Sequence, residues 1–479
     1  MARVETIVFL SLVLDLFAFT IPLPLFPRII EWYTVRESAS QNGFLSRTLN
    51  FVSFFRGLVF KPTKHSQKWD VVLLGGLMGS VFATLQFIVS PKIGSLSDKY
   101  GRKRILLITM IGNILSAIVW IKSTTFASYM LSRVIGGLSE GNVQLAIAIL
   151  SDVTTPETRS KTLSYVGIAF AICFCIGPPI GAHFASRPLP SSINTWGMDL
   201  NVYATPATIT LVLLVLETLF LIVFLPETRG RILRTTEKGQ DQSKKVTENA
   251  QTNENGPVTG ARPSKASVED RIQRLAALRQ LYSLFLGIFS GVEFTLTFLT
   301  FDLLDWNNKQ NGKLIGGIGI LSALLQGGYV RRSMSKVGEL VIARRGVTSC
   351  AFALVFLTFL PFHAQTNYWF ATKLLHGAAV CMAFTSATVV NALTAHASLQ
   401  CDEAGYDEVT GKPLEHPQLA KGKALGKFRS SGQLGRAIGP ILACASYWTF
   451  GPTYTYAVLA MAMFALSASM RSVEKSQKI

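Results

Sequence analysis

The chain has 479 residues, of which 49% are hydrophobic and only 15% charged, where a soluble protein carries about 25% charge. That deficit excludes an ordinary soluble domain and points to a membrane protein. The formal net charge of +18 would suit nucleic acid or anionic lipid, but the bases lie in short clusters between apolar runs, and removing those runs leaves no soluble domain to grip a nucleic acid.

A helix needs roughly 20 apolar residues to cross about 30 Å of hydrocarbon, and the chain offers twelve such runs. The first, residues 5–27, is too long for a cleaved signal and holds Asp15, with Pro24 and Pro27 near its far end. A basic stretch at 28–69 follows, then spans at 70–91, 103–121, 126–149, 162–183 and 203–225. Between the second and third lies GSLSDKYGRKR, Gly94 to Arg104. The fourth span carries Arg133, Gly136-Gly137 and Glu140; the fifth carries Gly167 and then GPPIG from Gly177-Pro178 to Gly181; the sixth ends in LPET, residues 225–228.

Residues 229–279 separate two halves. The part from Lys238 to Lys265 is polar, poor in aromatics and aperiodic, and is predicted to be disordered. The closing VEDRIQRLAALR has helical spacing and is placed on the membrane surface. Six further spans follow at 280–302, 312–330, 346–363, 367–392, 424–448 and 452–470. Glu293 falls in the seventh span, and Arg436 with Gly439-Pro440 in the eleventh. AIGPILAC in the eleventh span echoes CIGPPIGA in the fifth, a weak internal repeat. The expected fold is therefore an all-α membrane protein of twelve transmembrane helices in two pseudo-symmetric six-helix bundles, residues 1–228 and 280–479, joined by a largely disordered cytosolic linker at 229–279.

The loops 92–104 and 331–345 each hold five bases, more than the opposite loops, which puts both termini in the cytosol. The stretch 28–69, with seven bases, conflicts with that orientation. The seven tryptophans all fall at or beyond the outer ends of spans, where indole prefers the interface.

Gly94-x-Leu96-x-Asp98-Lys99-x-Gly101-Arg102-Lys103-Arg104 resembles the signature between helices two and three of the major facilitator superfamily. Leu14-Asp15, Arg133 followed by Gly136-Gly137, the glycines of span five and LPET are similar to further motifs of that superfamily's drug:proton antiporters. The eukaryotic tetracycline-transporter-like branch, some of whose members are described as organic-anion carriers, is the nearest match. The chain departs from the helix-five motif in one glycine gap, one residue wider, and in Ala182 at the closing pair. The resemblance implies the major facilitator fold and transport by alternating access. In that frame Gly94, Asp98, Gly101, Arg102, Lys103 and Arg104 form a conformational latch, Asp98 accepting bonds from a helix N-terminus and pairing with Arg102. Gly167, Gly177, Pro178, Gly181, Gly439 and Pro440 serve as hinge or packing points of helices five and eleven.

A charge near the bilayer centre costs about 2.5–3.5 kcal/mol on insertion scales, so ionisable residues inside spans need a reason. Asp15 and Arg133 fall at similar depth and are candidates for a protonation site and its partner, or for a permanent ion pair. Glu140 faces either the cavity or a vestibule. Glu293 binds substrate or proton, or bonds a neighbouring helix. Arg436 holds an anionic substrate or snorkels to the surface.

The reading is a secondary active transporter of a small amphipathic organic molecule, expected to be monomeric and driven by a proton gradient without a cofactor or metal, as in proton-coupled drug antiport. The alternatives are organic-anion transport on the same fold, or a non-transporting scaffold or receptor. No phosphate loop or catalytic motif is present, so no enzymatic residue is expected. Cys173, Cys175, Cys350, Cys381, Cys401 and Cys444 show no disulfide or metal spacing and read as small apolar residues.

Overall fold

In a computed structural model of the chain, residues 3–22, 25–37, 43–59, 66–185, 204–229, 267–306, 308–401 and 416–476 are described, and every regular element among them is helical. The sixteen α-helices are α1 (Val4–Thr20), α2 (Phe26–Arg36), α3 (Phe44–Val59), α4 (Ser66–Tyr100), α5 (Arg102–Ile121), α6 (Phe126–Ser139), α7 (Asn142–Val153), α8 (Pro156–Ala185), α9 (Ala204–Phe224), α10 (Val268–Leu304), α11 (Asn308–Leu325), α12 (Arg331–Val337), α13 (Glu339–Ala364), α14 (Tyr368–Leu399), α15 (Lys421–Phe450) and α16 (Pro452–Ser476). Ten spans are long and apolar enough to cross a membrane. The short α1, with 17 residues, and α15, with five bases, complete the twelve. The expected disorder at 238–265 lies outside the described residues.

Several boundaries differ from the sequence reading, each for a local reason. The stretch 92–104 is not a loop. Helix α4 runs unbroken to Tyr100, and the chain turns at Gly101 alone, whose φ of 100° is open to glycine and strained for other residues. The equivalent turn in the second half is Gly338, φ 95°, so most of 331–345 is also helical. It is reached from α11 through a π-helical turn at Gln326–Val330. The fourth span is broken at Glu140-Gly141, between α6 and α7. VEDRIQRLAALR is not a separate surface helix but the start of α10, with Leu275 and Leu278 buried. The 28–69 stretch contains α2 and α3.

Helix α2 covers one end of the first half. Tyr33 is buried, donates to the Ser123 carbonyl at 2.9 Å, and packs with Trp120, Phe126 and Tyr129. Glu37 accepts from the Phe126 amide at 2.6 Å and so caps α6. The larger core runs through both halves. Exposed Val212, Leu216, Leu219, Val223 and Phe224 on α9 form the kind of face that lipid solvates.

Candidate functional site

One end of the molecule is closed by charge. Asp98, near the end of α4, accepts through Oδ1 from the Gly422 amide (2.9 Å) and from Arg102 NH1 (2.7 Å), and through Oδ2 from the Lys423 amide (2.7 Å). A carboxylate thus caps the N-terminus of α15, where the helix dipole favours an anion. The Arg102 guanidinium is buried, bonds Ser97, and donates from Nε to Asp152 at 2.8 Å. The Lys103 ammonium donates to the Ile222 carbonyl at 2.8 Å, while Arg104 is exposed. Glu227 of LPET accepts from the amides of Arg102 (2.8 Å) and Lys103 (3.1 Å), capping α5.

The glycines of the signature have separate physical roles. Gly101 makes the turn. Gly94 makes room: a Cβ there would strike the Gly422 carbonyl, so α4 and α15 touch backbone to backbone. The fifth and eleventh spans repeat this device. A Cβ at Gly177 would strike Thr20 at the end of α1 and one at Gly181 would strike Ile21 just after it, and one at Gly439 would strike the Gly287 carbonyl of α10. Pro178 and Pro440 lie inside α8 and α15. Gly167 faces the side chains of Asn391 and Gln326 in the other half.

The closed end has a two-fold character. Lys421, from the second half, donates to the Ser151 carbonyl (3.0 Å) and lies 3.5 Å from Asp152. Arg159, from the first half, donates to the Ser398 carbonyl at 3.2 Å. The two halves meet again where Ser160 donates to Glu339 at 2.5 Å, with His396 3.9 Å from the same carboxylate.

Within the first half, Asp15 is buried and accepts from Asn142 Nδ2 at 2.6 Å; Asn142 is itself held by Thr109. Asp15 and Arg133 do not pair. The Arg133 guanidinium lies 5.5 Å from the Trp120 ring centre and 5.6 Å from that of Tyr129, a cation–π arrangement. Both residues nevertheless line one cavity, together with Glu140, Asn113, Trp120 and Thr210. The break between α6 and α7 explains how: it turns the chain so that Glu140 reaches the cavity and Asn142 reaches Asp15. A third acid, Glu217 on α9, is 1% exposed and accepts from Ser11 at 2.7 Å.

The second half contributes cations. On α15 the exposed Ile438, Ile441 and Leu442 mark an apolar face. Arg429 and Arg436 lie on the opposite one, seven residues and roughly 10 Å apart. Arg436 sits fifteen residues into the helix, roughly 22 Å from its start, and is exposed. Its charge acts on Glu293 of α10, which is exposed. Arg429 lines a smaller cavity between the halves with Gln144, Tyr282, Thr394 and Phe428; Tyr282 stacks on Phe428 at 4.3 Å. Neither arginine makes a hydrogen bond or ion pair among the described residues.

Sequence reasoning passed over Glu217, Arg429, Asp152, Arg159 and Lys421. Glu217 carried the same signal as Asp15, an acid inside an apolar run. Lys421 and Arg429 lie in the polar start of α15, ahead of its apolar stretch, where hydropathy gives no helical signal. Asp152 and Arg159 act only across the folded interface.

Paired gates, glycine crossings and buried charges along twelve spans set the frame for comparison with known proteins. Residues 8–411 match the Major Facilitator Superfamily model. Major facilitator superfamily domain-containing protein 10 of Bos taurus is 32% identical over 471 residues, 98% of this chain and 92% of that one. Tetracycline resistance protein, class H, of Pasteurella multocida is 35% identical over 106 residues, 22% of this chain and 26% of that one. The crystal structure of the human organic anion transporter MFSD10 (TETRAN) gives a TM-score of 0.75 at 29% identity, covering 98% of this chain and 99% of that one. With its signature glycines, its buried charges and its whole length accounted for in this way, the chain belongs to the Major Facilitator Superfamily, and it is a multi-pass membrane transporter.

Proposed function

We propose that the chain is a proton-coupled carrier of small amphipathic organic anions, working as a monomer in the bilayer by alternating access between bundles 1–228 and 280–479. The observation that carries this reading is the pair Arg429 and Arg436, two cations on one face of α15 that make no hydrogen bond or ion pair among the described residues. A cation held within a membrane span draws an anionic partner, and a carboxylate or sulfonate cargo supplies one. The stacked Tyr282 and Phe428 beside Arg429 suit an aromatic body. The organic anion transporter named above, similar over nearly the whole chain, supports the same cargo.

Asp15 and Glu140 are the proton sites, with Arg133 tuning the cavity and Glu293 answering Arg436. The cluster around Asp98 and Arg102 is the latch, holding the cytosolic end shut while the cavity opens outward; both termini then face the cytosol. Gly167, Gly177, Pro178, Gly181, Gly439 and Pro440 are packing points on which the halves rock. A second reading, efflux of cationic drugs, has in its favour the acids Asp15 and Glu140 at the first cavity and the partial similarity to a tetracycline resistance protein.

Proteoliposomes loaded with one labelled anion, p-aminohippurate, or one labelled cation, tetraphenylphosphonium, separate the two. Counterflow of the anion alone supports the proposal; counterflow of the cation alone overturns it.

A further inference from the structure

Glu217 has no part in the cycle described so far. It sits on α9, 1% exposed, with Oε1 accepting from Ser11 at 2.7 Å and Oε2 without a hydrogen-bond partner. Among the described residues no basic side chain bonds to it. The charged groups that act on it are Asp15 and Glu140, both acids. Ser11 and Asp15 are four residues apart on α1, hence neighbours on one face, and Ser11 lies one turn, roughly 5.4 Å, nearer the closed end.

An ionised carboxylate with an oxygen unpaired and away from water is costly, and two further acids nearby add to the cost. The neutral acid fits this site: its carbonyl oxygen accepts from Ser11, and its hydroxyl needs no anion-solvating donors. Asp15 has the opposite setting, with Asn142 donating to it at 2.6 Å and a cavity beside it. Two carboxyls so placed, one beside a cavity and one enclosed, with a single helical turn between their contacts, make a proton-exchanging pair.

We propose that Glu217 is a second proton-carrying residue of the cycle, exchanging a proton with Asp15. In the transfer an O–H bond breaks at Asp15 and one forms at Glu217. Asp15 is left as the carboxylate to which Asn142 donates, and Glu217 as the neutral acid to which Ser11 donates. The proposal rests on the proton-coupled reading above. The alternative is a fixed hydrogen bond joining α1 to α9.

The test compares Glu217→Gln with Glu217→Asp in proteoliposomes, reading p-aminohippurate counterflow and proton movement per anion. Glutamine keeps the acceptor for Ser11 but cannot carry the proton; aspartate carries a proton but shortens the reach to Ser11. The relay requires that E217Q keep counterflow and lose proton movement at least tenfold, while E217D keeps both. Proton movement intact in E217Q overturns it. If E217Q does not insert, the infrared spectrum of E217D decides: a shifted protonated-carboxyl band supports the relay, and an unchanged band overturns it. Infrared spectra of the detergent-purified protein need no cargo. Loss of a protonated-carboxyl band in E217Q supports the assignment, and an unchanged band overturns it, even where wild-type protein moves no p-aminohippurate and the organic-anion reading alone has failed.

Discussion

The Ser151 hydroxyl lies 2.8 Å from the Ser398 hydroxyl, and the two residues hold matching places near the ends of the fourth and tenth spans. Around that contact the partners are exchanged. Lys421 of the second half donates to the Ser151 carbonyl, and Arg159 of the first donates to the Ser398 carbonyl. Each half thus sends a cation from the start of its fifth helix into the carbonyl end of the other half's fourth. Helix C-termini are electronegative, so the exchange satisfies both. A seal of this kind is made or lost as a unit.

A disulfide across that contact tests whether the seal must open. With the six native cysteines replaced, a Ser151→Cys/Ser398→Cys double variant oxidised by copper phenanthroline is expected to lose counterflow, and a reductant to restore it. Each single variant keeps its activity. A cross-linked protein that still transports contradicts the role given to this end.

Cys401 reports the same event without cross-linking. It is 2% exposed, and burial pushes its thiol up to about 12, against the pull of Lys421, Arg159 and Arg271. At pH 8 such a thiol is about one part in ten thousand thiolate, whereas an unperturbed one near 8.5 is roughly a quarter ionised. Asp98→Asn removes the anion that holds Arg102 and the amides of Gly422 and Lys423. Maleimide labelling of Cys401 should then accelerate by up to about three orders of magnitude. An unchanged rate contradicts the latch.

Gly94→Val tests backbone contact between α4 and α15. The new side chain meets the Gly422 carbonyl, which is rigid helix backbone and cannot turn aside. The expected outcome is normal membrane insertion, transport down at least tenfold, and fast labelling of Cys401. Near-normal transport would mean that the closed end does not need this approach.

Arg429→Met removes the cation beside Tyr282 and Phe428. A hydrogen bond to a charged group is worth about 1.5–3 kcal/mol, so KM for p-aminohippurate should rise about 10- to 150-fold, with a smaller change in maximal rate. Arg429→Lys keeps the charge but loses the planar fork and should fall between. Unchanged KM in R429M removes this residue from the cargo site.

Much of this was legible in the chain itself. The twelve spans follow from hydropathy, and Gly94, Asp98, Gly101 and Arg102 stand in a spacing that demands a turn, a close approach and an ion pair. The expected bond between Asp15 and Arg133 is not formed, because equal depth does not fix direction. Arg133 turns to the rings of Trp120 and Tyr129, and the break at Glu140-Gly141 brings Asn142 to Asp15 instead. Such a break has no apolar signature. The reciprocal pairs of Lys421 and Arg159 were hidden for another reason: each joins residues more than two hundred positions apart, and no local pattern announces them.

The account stands on the coupling of proton and anion movement in one protein. The direct measurement is a pH-sensitive dye sealed inside proteoliposomes, read as p-aminohippurate is added outside, with wild type and Asp15→Asn side by side. The prediction is an anion-dependent pH change in wild type that D15N loses while keeping anion counterflow. Anion flux with no accompanying pH change in wild type, or a full pH change in D15N, would contradict it.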